Sequence, residues 1–348
     1  MTKKITIEDV AREAGVGRAT VDRVLNQRTP VKADTEQRVM LAVKKLGYRM
    51  AYPSSTSESS VSYFLPPSLG FILPPAEDSF YQLLVGSILQ TIADSGILLP
   101  SPKFSHLPIS DVDDVAGVII QMAKEVDVIG IVALDDPKVT HAINQVTQQG
   151  VRVFTLISPL SPCGESGFVG IDSRQAGRTA ALMVDKLKIR SDKIAIYIGD
   201  NRFICQETCE ISFRSYLRQN QPDLILLEPI KAMEDNILAE QLTDQLLDIF
   251  PDVAAIYVPC GGSKGIVSSL KKSGKNQEVL VISHGPYPEW EGDMIDGTVD
   301  FMIYHDLNEF GKLIFNTCVQ HARSETGEFV NKTLPFRLVT RENLRVTS

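Results

Sequence analysis

Eleven lysines and arginines crowd the first 50 residues against six acids, a net +5, while the remaining residues hold 24 against 37, a net −13. The chemistry open to a basic module on an acidic body is local neutralisation of phosphate. Such a module slides on DNA by releasing counterions, and its affinity falls steeply with salt. Elsewhere the reactive residue types are sparse. Of the five cysteines (163, 205, 209, 260 and 318), Cys205 and Cys209 are four apart on a predicted helix. No second Cys/His pair at zinc spacing accompanies them, so they read as packing residues and no metal is expected. The run Pro259-Cys260-Gly261-Gly262-Ser263-Lys264-Gly265 lacks the spacing of a phosphate loop and reads as a strand-to-helix turn lining a cleft. Helix-end amides there could still hold a phosphorylated ligand. The five histidines are scattered, and Cys260 with His284 makes no triad by spacing, so neither an enzyme nor a cofactor is expected. Reduced thiols without a secretory or transmembrane segment predict a cytoplasmic protein with no membrane partner.

The elements that must carry the basic module are three short helices. Thr6 followed by Asp9 makes a capping-box start, and Ile7, Val10, Ala11 and Ala14 recur at helical spacing up to a stop at Gly15. A second helix over 17–26 buries Val21, Val24 and Leu25, and a third over 33–46 carries Val39, Ala42, Val43 and Leu46 on one face. Two helices joined by a tight glycine-containing turn present the second to a DNA major groove. From residue 68 onward, short apolar runs at 69–73, 128–133, 151–157, 194–198, 224–227, 254–258 and 279–283 alternate with helical patterns at 79–94, 176–188, 203–219, 238–249 and 265–272. This β-α repeat predicts an α/β fold of doubly wound parallel sheets, long enough for two lobes with a ligand cleft at the carboxyl ends of the strands.

The ordered series Thr6-Ile7-Glu8-Asp9-Val10-Ala11, Ala14-Gly15-Val16, Ala19-Thr20-Val21, Arg23-Val24-Leu25-Asn26 and Leu46-Gly47-Tyr48-Arg49 resembles the headpiece of the lactose-repressor (LacI/GalR) family of transcription regulators. The resemblance implies a DNA interface of Thr6, Gly17, Arg18, Ala19, Thr20, Arg23 and Asn26. Arg18 would fork two hydrogen bonds onto guanine, Ala19 would touch a thymine methyl or leave room, and Thr20 would hold phosphate. Arg23 would meet phosphate or base, and Asn26 the DNA backbone. Gly17 stands where the family usually has a hydroxyl or amide cap, and Asp22 where serine is usual, so readout is altered there. In the family a short hinge helix wedges a leucine into the minor groove. Here residues 50–62, MAYPSSTSESSVS, offer neither leucine nor arginine and read as a flexible linker.

The body resembles the periplasmic sugar-binding-protein fold that this family uses as an effector domain. The segments that carry this are 168–178, an inter-lobe crossover, 296–306, a strand returning to the cleft, and 334–341, a closing strand. The implied organisation is a headpiece at 1–50, a linker at 51–67 and an effector-binding and dimerisation domain of two lobes at 68–348. Carried over by position, the effector-binding residues are Asp78, Phe80, Tyr81, Asp135, Asp172, Ser173, Arg202, His284 and His305. An aromatic ring over a pyranose face and carboxylate-to-hydroxyl hydrogen bonds are what polyol recognition requires. The implied function is a repressor, working as a homodimer on operator DNA and controlled by a sugar, polyol or sugar phosphate. An activator or effector-independent regulator, and a sugar-binding protein or enzyme on the same fold, are the alternatives.

Overall fold

The computed structural model describes residues 6–26, 31–46, 66–75, 79–187, 192–322 and 328–344. The chain divides into two compact units, residues 1–67 and 68–348. In the first, helices α1 (Ile7–Ala14), α2 (Arg18–Asn26) and α3 (Ala33–Leu46) close over Val10, Val21, Val24, Val39 and Val43. The capping box is formed: the Thr6 N–H donates to the Asp9 carboxylate at 2.9 Å, and the Asp9 N–H donates back to the Thr6 hydroxyl. Gly15 ends α1 at φ 63°, the left-handed conformation that costs a glycine little. The guanidinium of Arg38 then donates to the carbonyls of Ala14 at 2.7 Å and Gly15 at 3.1 Å, tying α3 to the turn. The side chains expected of Leu25 and Asn26, and the linker at 51–65, lie outside the described part.

The second unit holds two sheets. The first lobe begins with β1 (Leu69–Leu73), α4 (Ser79–Asp94), β2 (Lys103–His106), α5 (Val112–Met122) and β3 (Val128–Ile131). It continues through α6 (Pro137–Gln148), β4 (Arg152–Leu156) and β5 (Gly167–Gly170). The chain then crosses to the second lobe: α7 (Ser173–Lys186), β6 (Lys193–Ile198), α8 (Ile204–Asn220), β7 (Ile225–Leu226), β8 (Ile230–Lys231) and α9 (Asn236–Ile249). That lobe is completed by β9 (Ala255–Val258), α10 (Ser263–Lys272), β10 (Leu280–Gly285), α11 (Trp290–Ile295) and β11 (Phe301–Tyr304). A second crossing leads to α12 (Leu307–His321), which packs on α4, and to β12 (Val330–Thr333). A third crossing returns the chain to β13 (Arg337–Val339).

The sheet orders are β12-β5-β4-β3-β1-β2 and β13-β11-β10-β9-β6-β7, with β8 also on β6; every pairing is parallel except β11 with β13. Parallel strands covered by helices on both faces must be apolar throughout, and β1, β3, β5 and β9 are buried at every residue. All the central strands therefore aim their carboxyl ends, and the loops that follow, at the space where the chain crosses between lobes.

Candidate functional site

The loops at those strand ends enclose a cavity of about 570 Å³ between the lobes. Phe80 and Tyr81, at the start of α4, line it from the first lobe. Ser173 and His305 enter from two of the crossings, and His284 from the end of β10. These five are sequence-expected residues that the fold brings together. Their rings run on into the second lobe's interior: Phe80 lies 6.0 Å from His305, His305 5.5 Å from His284, His284 5.7 Å from Tyr257, and Tyr257 4.7 Å from Phe213, by centroids.

Burial decides the chemistry of the two histidines. His305 is 8% exposed, and its Nε2 is the one buried side-chain nitrogen or oxygen among the described residues without a hydrogen-bond partner. Burial pushes its pKa down to about 4, and burial together with His305 holds His284 well below the usual imidazole range. Both are neutral at pH 7. His284 Nε2 meets the Tyr257 hydroxyl at 3.0 Å, whereas His305 Nε2 has no hydrogen-bond partner among the described residues.

The second lobe supplies a floor that the sequence did not announce. Met233 and Glu234 are successive non-glycine residues at φ 52° and 62°, an uncommon strained pair. That twist turns the Glu234 carboxylate inward, where it accepts from Gln206 Nε2 at 2.6 Å and the Gly261 N–H at 2.8 Å. One carboxylate thus ties together the first turn of α8 and the loops that open α9 and α10. Asp235 caps α9 through the N–H groups of Ile237 and Leu238. Cys205, Cys209 and Cys260 complete an apolar wall with Phe203 and Tyr287. Burial raises all three thiols, Cys209 to about 12, so they stay protonated and behave as small hydrophobes. Among the described residues, the charged side chains on the wall are Glu234, Asp235 and Lys264, and the last is bridged to Glu289 at 3.1 Å.

Three expected effector residues are absent from the cavity wall, because each carboxylate or guanidinium already has local partners. Asp172 caps α7, accepting from the N–H and side-chain amide of Gln175 at 2.9 and 2.8 Å. Asp135 accepts from the Ser161 N–H and hydroxyl at 2.9 and 2.6 Å. Arg202 is held by Asp200 at 3.0 Å and reaches across to Asp136 of the first lobe at 3.3 Å. Asp78 lies outside the described residues. Two bonds donated by backbone N–H groups join the Arg202 contact between lobes: Asp135 N–H to the Arg202 carbonyl at 2.9 Å, and Cys205 N–H to the Ser158 side-chain hydroxyl at 3.2 Å. Asp135 and Arg202 therefore tie the lobes together. The same guanidinium holds the Asp200 carboxyl below the usual carboxylate range. Arg202→Ala is expected to cost about 1 kcal/mol or less, since its side chain is 40% exposed. It should nonetheless speed amide exchange at Asp135 and Cys205, and unchanged exchange there would count against the tie.

In the first unit, Gly17 is exposed just before α2, and Arg18, Ala19 and Arg23 are exposed on it, opposite buried Val21 and Val24, while Thr20 is half-buried. The Thr6 hydroxyl is engaged by Asp9. Arg18 Nη1 donates to Glu8 Oε1 at 3.1 Å.

A helix-turn-helix unit followed by a two-lobed, parallel-sheet binding domain is the class of protein these features define. The chain belongs to the family described as periplasmic binding protein domain, matched over residues 108–326, and its residues 6–50 match the family described as bacterial regulatory proteins, lacI family. The chain is 40% identical to the transcriptional regulator RegA of Clostridium saccharobutylicum over 96 residues, 27% of this chain and 28% of that protein. It is 40% identical to the transcriptional regulator GalS of Salmonella typhimurium over 84 residues, 24% of each. Catabolite control protein A of Streptococcus mutans is 30% identical over 200 residues, 56% of this chain and 55% of that protein. The matched stretches thus span about a quarter to just over half of these relatives. Among solved structures, a solute-binding protein of Agrobacterium vitis with bound D-fucose shares the fold at TM-score 0.73 and 18% identity, covering 80% of this chain and 97% of that one. A putative LacI regulator from Bacteroides fragilis does so at 0.69 and 20%, covering 79% and 98%. No helix among the described residues is long and apolar enough to cross a membrane.

Proposed function

We propose that this chain is a transcription regulator, acting as a repressor, whose grip on operator DNA is set by an uncharged sugar or polyol held between its lobes. The observation that carries the reading is one chain bearing both an exposed α2 face with Arg18, Ala19 and Arg23 and a cavity in which the buried His305 Nε2 lacks a partner. The relatives named as transcriptional regulators and the neighbour that holds D-fucose support it. In this reading Phe80 and Tyr81 face a sugar ring and His305 meets a hydroxyl, with the chain working as a homodimer on a two-fold operator. Five free thiols fit a reducing cytoplasm.

The wall narrows the effector class. A phosphate dianion would meet Glu234 and Asp235, opposed among the described wall residues by Lys264 alone, which is already paired. Neutral hexoses and pentoses are therefore expected to stabilise the second unit and their phosphates to leave it unchanged. A ligand at a hundred times its dissociation constant adds about 2.7 kcal/mol. Thermal unfolding of the full chain, followed by the fluorescence of its single tryptophan, Trp290, checks this, because Trp290 lies in the second unit. A blank from all neutral sugars would move the reading to effector-independent regulation. For the DNA side, affinity for duplex should fall steeply between 50 and 200 mM salt. Arg18→Ala and Arg23→Ala should each flatten or weaken that binding, and salt-independent affinity would contradict the DNA-binding reading.

A further inference from the structure

The position of Glu8 carries an inference about which operators this chain accepts, and it rests on the DNA-binding reading above. Glu8 is the second residue of α1 and Arg18 the first of α2. The Thr6–Asp9 capping box fixes the first turn of α1, and the left-handed Gly15 with the Arg38 bonds fixes the turn that follows. Backbone geometry thus sets the two side chains against each other, with Nη1 at 3.1 Å from Oε1. The side chains are 68% and 63% exposed, and neither has another ion-pair partner among the described residues. The carboxylate therefore stands on the same solvent face as the arginine expected to read bases, with its second oxygen open.

We infer that Glu8 is a specificity-determining residue, which requires a base amino group, cytosine N4 or adenine N6, at the base pair next to the guanine read by Arg18. Two physical facts lead there. The Glu8 contact engages one of five guanidinium N–H donors, so the fork onto guanine O6 and N7 remains available. The carboxylate travels with that guanidinium, and the 3.1 Å between them compares with a rise of about 3.4 Å between stacked base pairs. An ionised carboxylate only accepts hydrogen bonds. On the groove floor it is satisfied by an exocyclic amino group and repelled by thymine O4 or by guanine O6 and N7. Being negative, it also weakens attraction to any duplex that does not offer that amino group.

The test is selection of duplexes from a randomised library by the full-length chain, in wild-type, Glu8→Gln, Glu8→Ala and Arg18→Ala forms, followed by competition binding of single-base variants. Wild type is expected to enrich a guanine flanked by a position restricted to cytosine or adenine on the contacted edge, with thymine or guanine there weakening binding roughly tenfold. Glu8→Gln, whose amide donates as well as accepts, should keep the guanine and accept the flanking thymine to within about twofold of the preferred base. Glu8→Ala should relax the flanking position and raise affinity for unrelated duplex. Arg18→Ala should lose the guanine. An unchanged flanking preference in Glu8→Gln and Glu8→Ala, or a wild-type site with no restricted position beside the guanine, would overturn the inference. Enrichment of no sequence by the wild type would overturn the DNA-binding reading itself, an outcome separate from either. Glu8 is solvent-exposed, and circular dichroism of each variant verifies that α1 is intact.

Discussion

Acidifying the protein from pH 7 to pH 4.5 is expected to cost its second unit roughly 2–3 kcal/mol through His305 alone. The imidazole titrates near 6.5 in the unfolded chain and at about 4 when folded, because burial disfavours the charged form. Above pH 6.5 neither state holds the proton, and the stability is fully present. As pH falls from 6.5 towards 4 the unfolded chain takes up a proton that the folded one refuses, so stability is lost across that window. His284, depressed by burial and by its neighbour 5.5 Å away, adds in the same direction. Carboxylates titrate in the same range, so the discriminating measurement is the difference between wild type and His305→Gln. Urea unfolding followed at Trp290 should show a pH slope shallower by up to about one proton in the variant. Equal slopes would mean that His305 is not buried and neutral. A ligand hydroxyl donating to the neutral Nε2 should also bind more weakly below pH 5, which links this titration to effector affinity.

Gly265→Ala is expected to destabilise the second unit by about 3 kcal/mol and to lower ligand affinity with it. A Cβ at Gly265 would sit 1.9 Å from the Asn236 carbonyl oxygen and 2.8 Å from the Glu240 nitrogen, both backbone atoms of α9. No rotamer relieves a clash with backbone, so α10 must move away from α9. The loops opening these two helices hold Glu234 and Gly261, and that movement stretches the carboxylate-to-amide bond closing the cavity floor. Gly117→Ala is the control: its Cβ meets nothing within 4 Å on α5, and removing a mid-helix glycine should be neutral or stabilise by about 0.5–1 kcal/mol. Unfolding at Trp290 compares the two. Equal stability for both variants would show that the α9–α10 approach is slack.

The residues that could be read in advance were those whose own pattern sets their structure. Helix α4 begins at Ser79 and ends at Asp94 as its apolar periodicity indicates, and β1 spans Leu69–Leu73 because a strand covered on both faces must be apolar. Strand β2, Lys-Phe-Ser-His, is invisible to that logic: it lies at a sheet edge, half-exposed and polar. The run expected at 224–227 shortens to Ile225–Leu226 for the same edge reason. The place of Phe80, Tyr81 and His305 on the cavity wall is legible because each follows a strand or borders a crossing. An aspartate before a helix is ambiguous between cap and ligand, and Asp172 is a cap. Glu234 was not legible at all, since its role arises from two consecutive left-handed residues that nothing in Met-Glu-Asp announces.

The central claim is that filling the cavity changes the grip on DNA, and one measurement tests it most directly. The full-length chain's affinity for its selected duplex is measured at fixed salt, without sugar and with the neutral monosaccharide that most raises its melting temperature. The account predicts a shift of roughly 5- to 150-fold, mirrored by an equal shift in sugar affinity when DNA is bound. Identical DNA affinity with the cavity empty and full would contradict it.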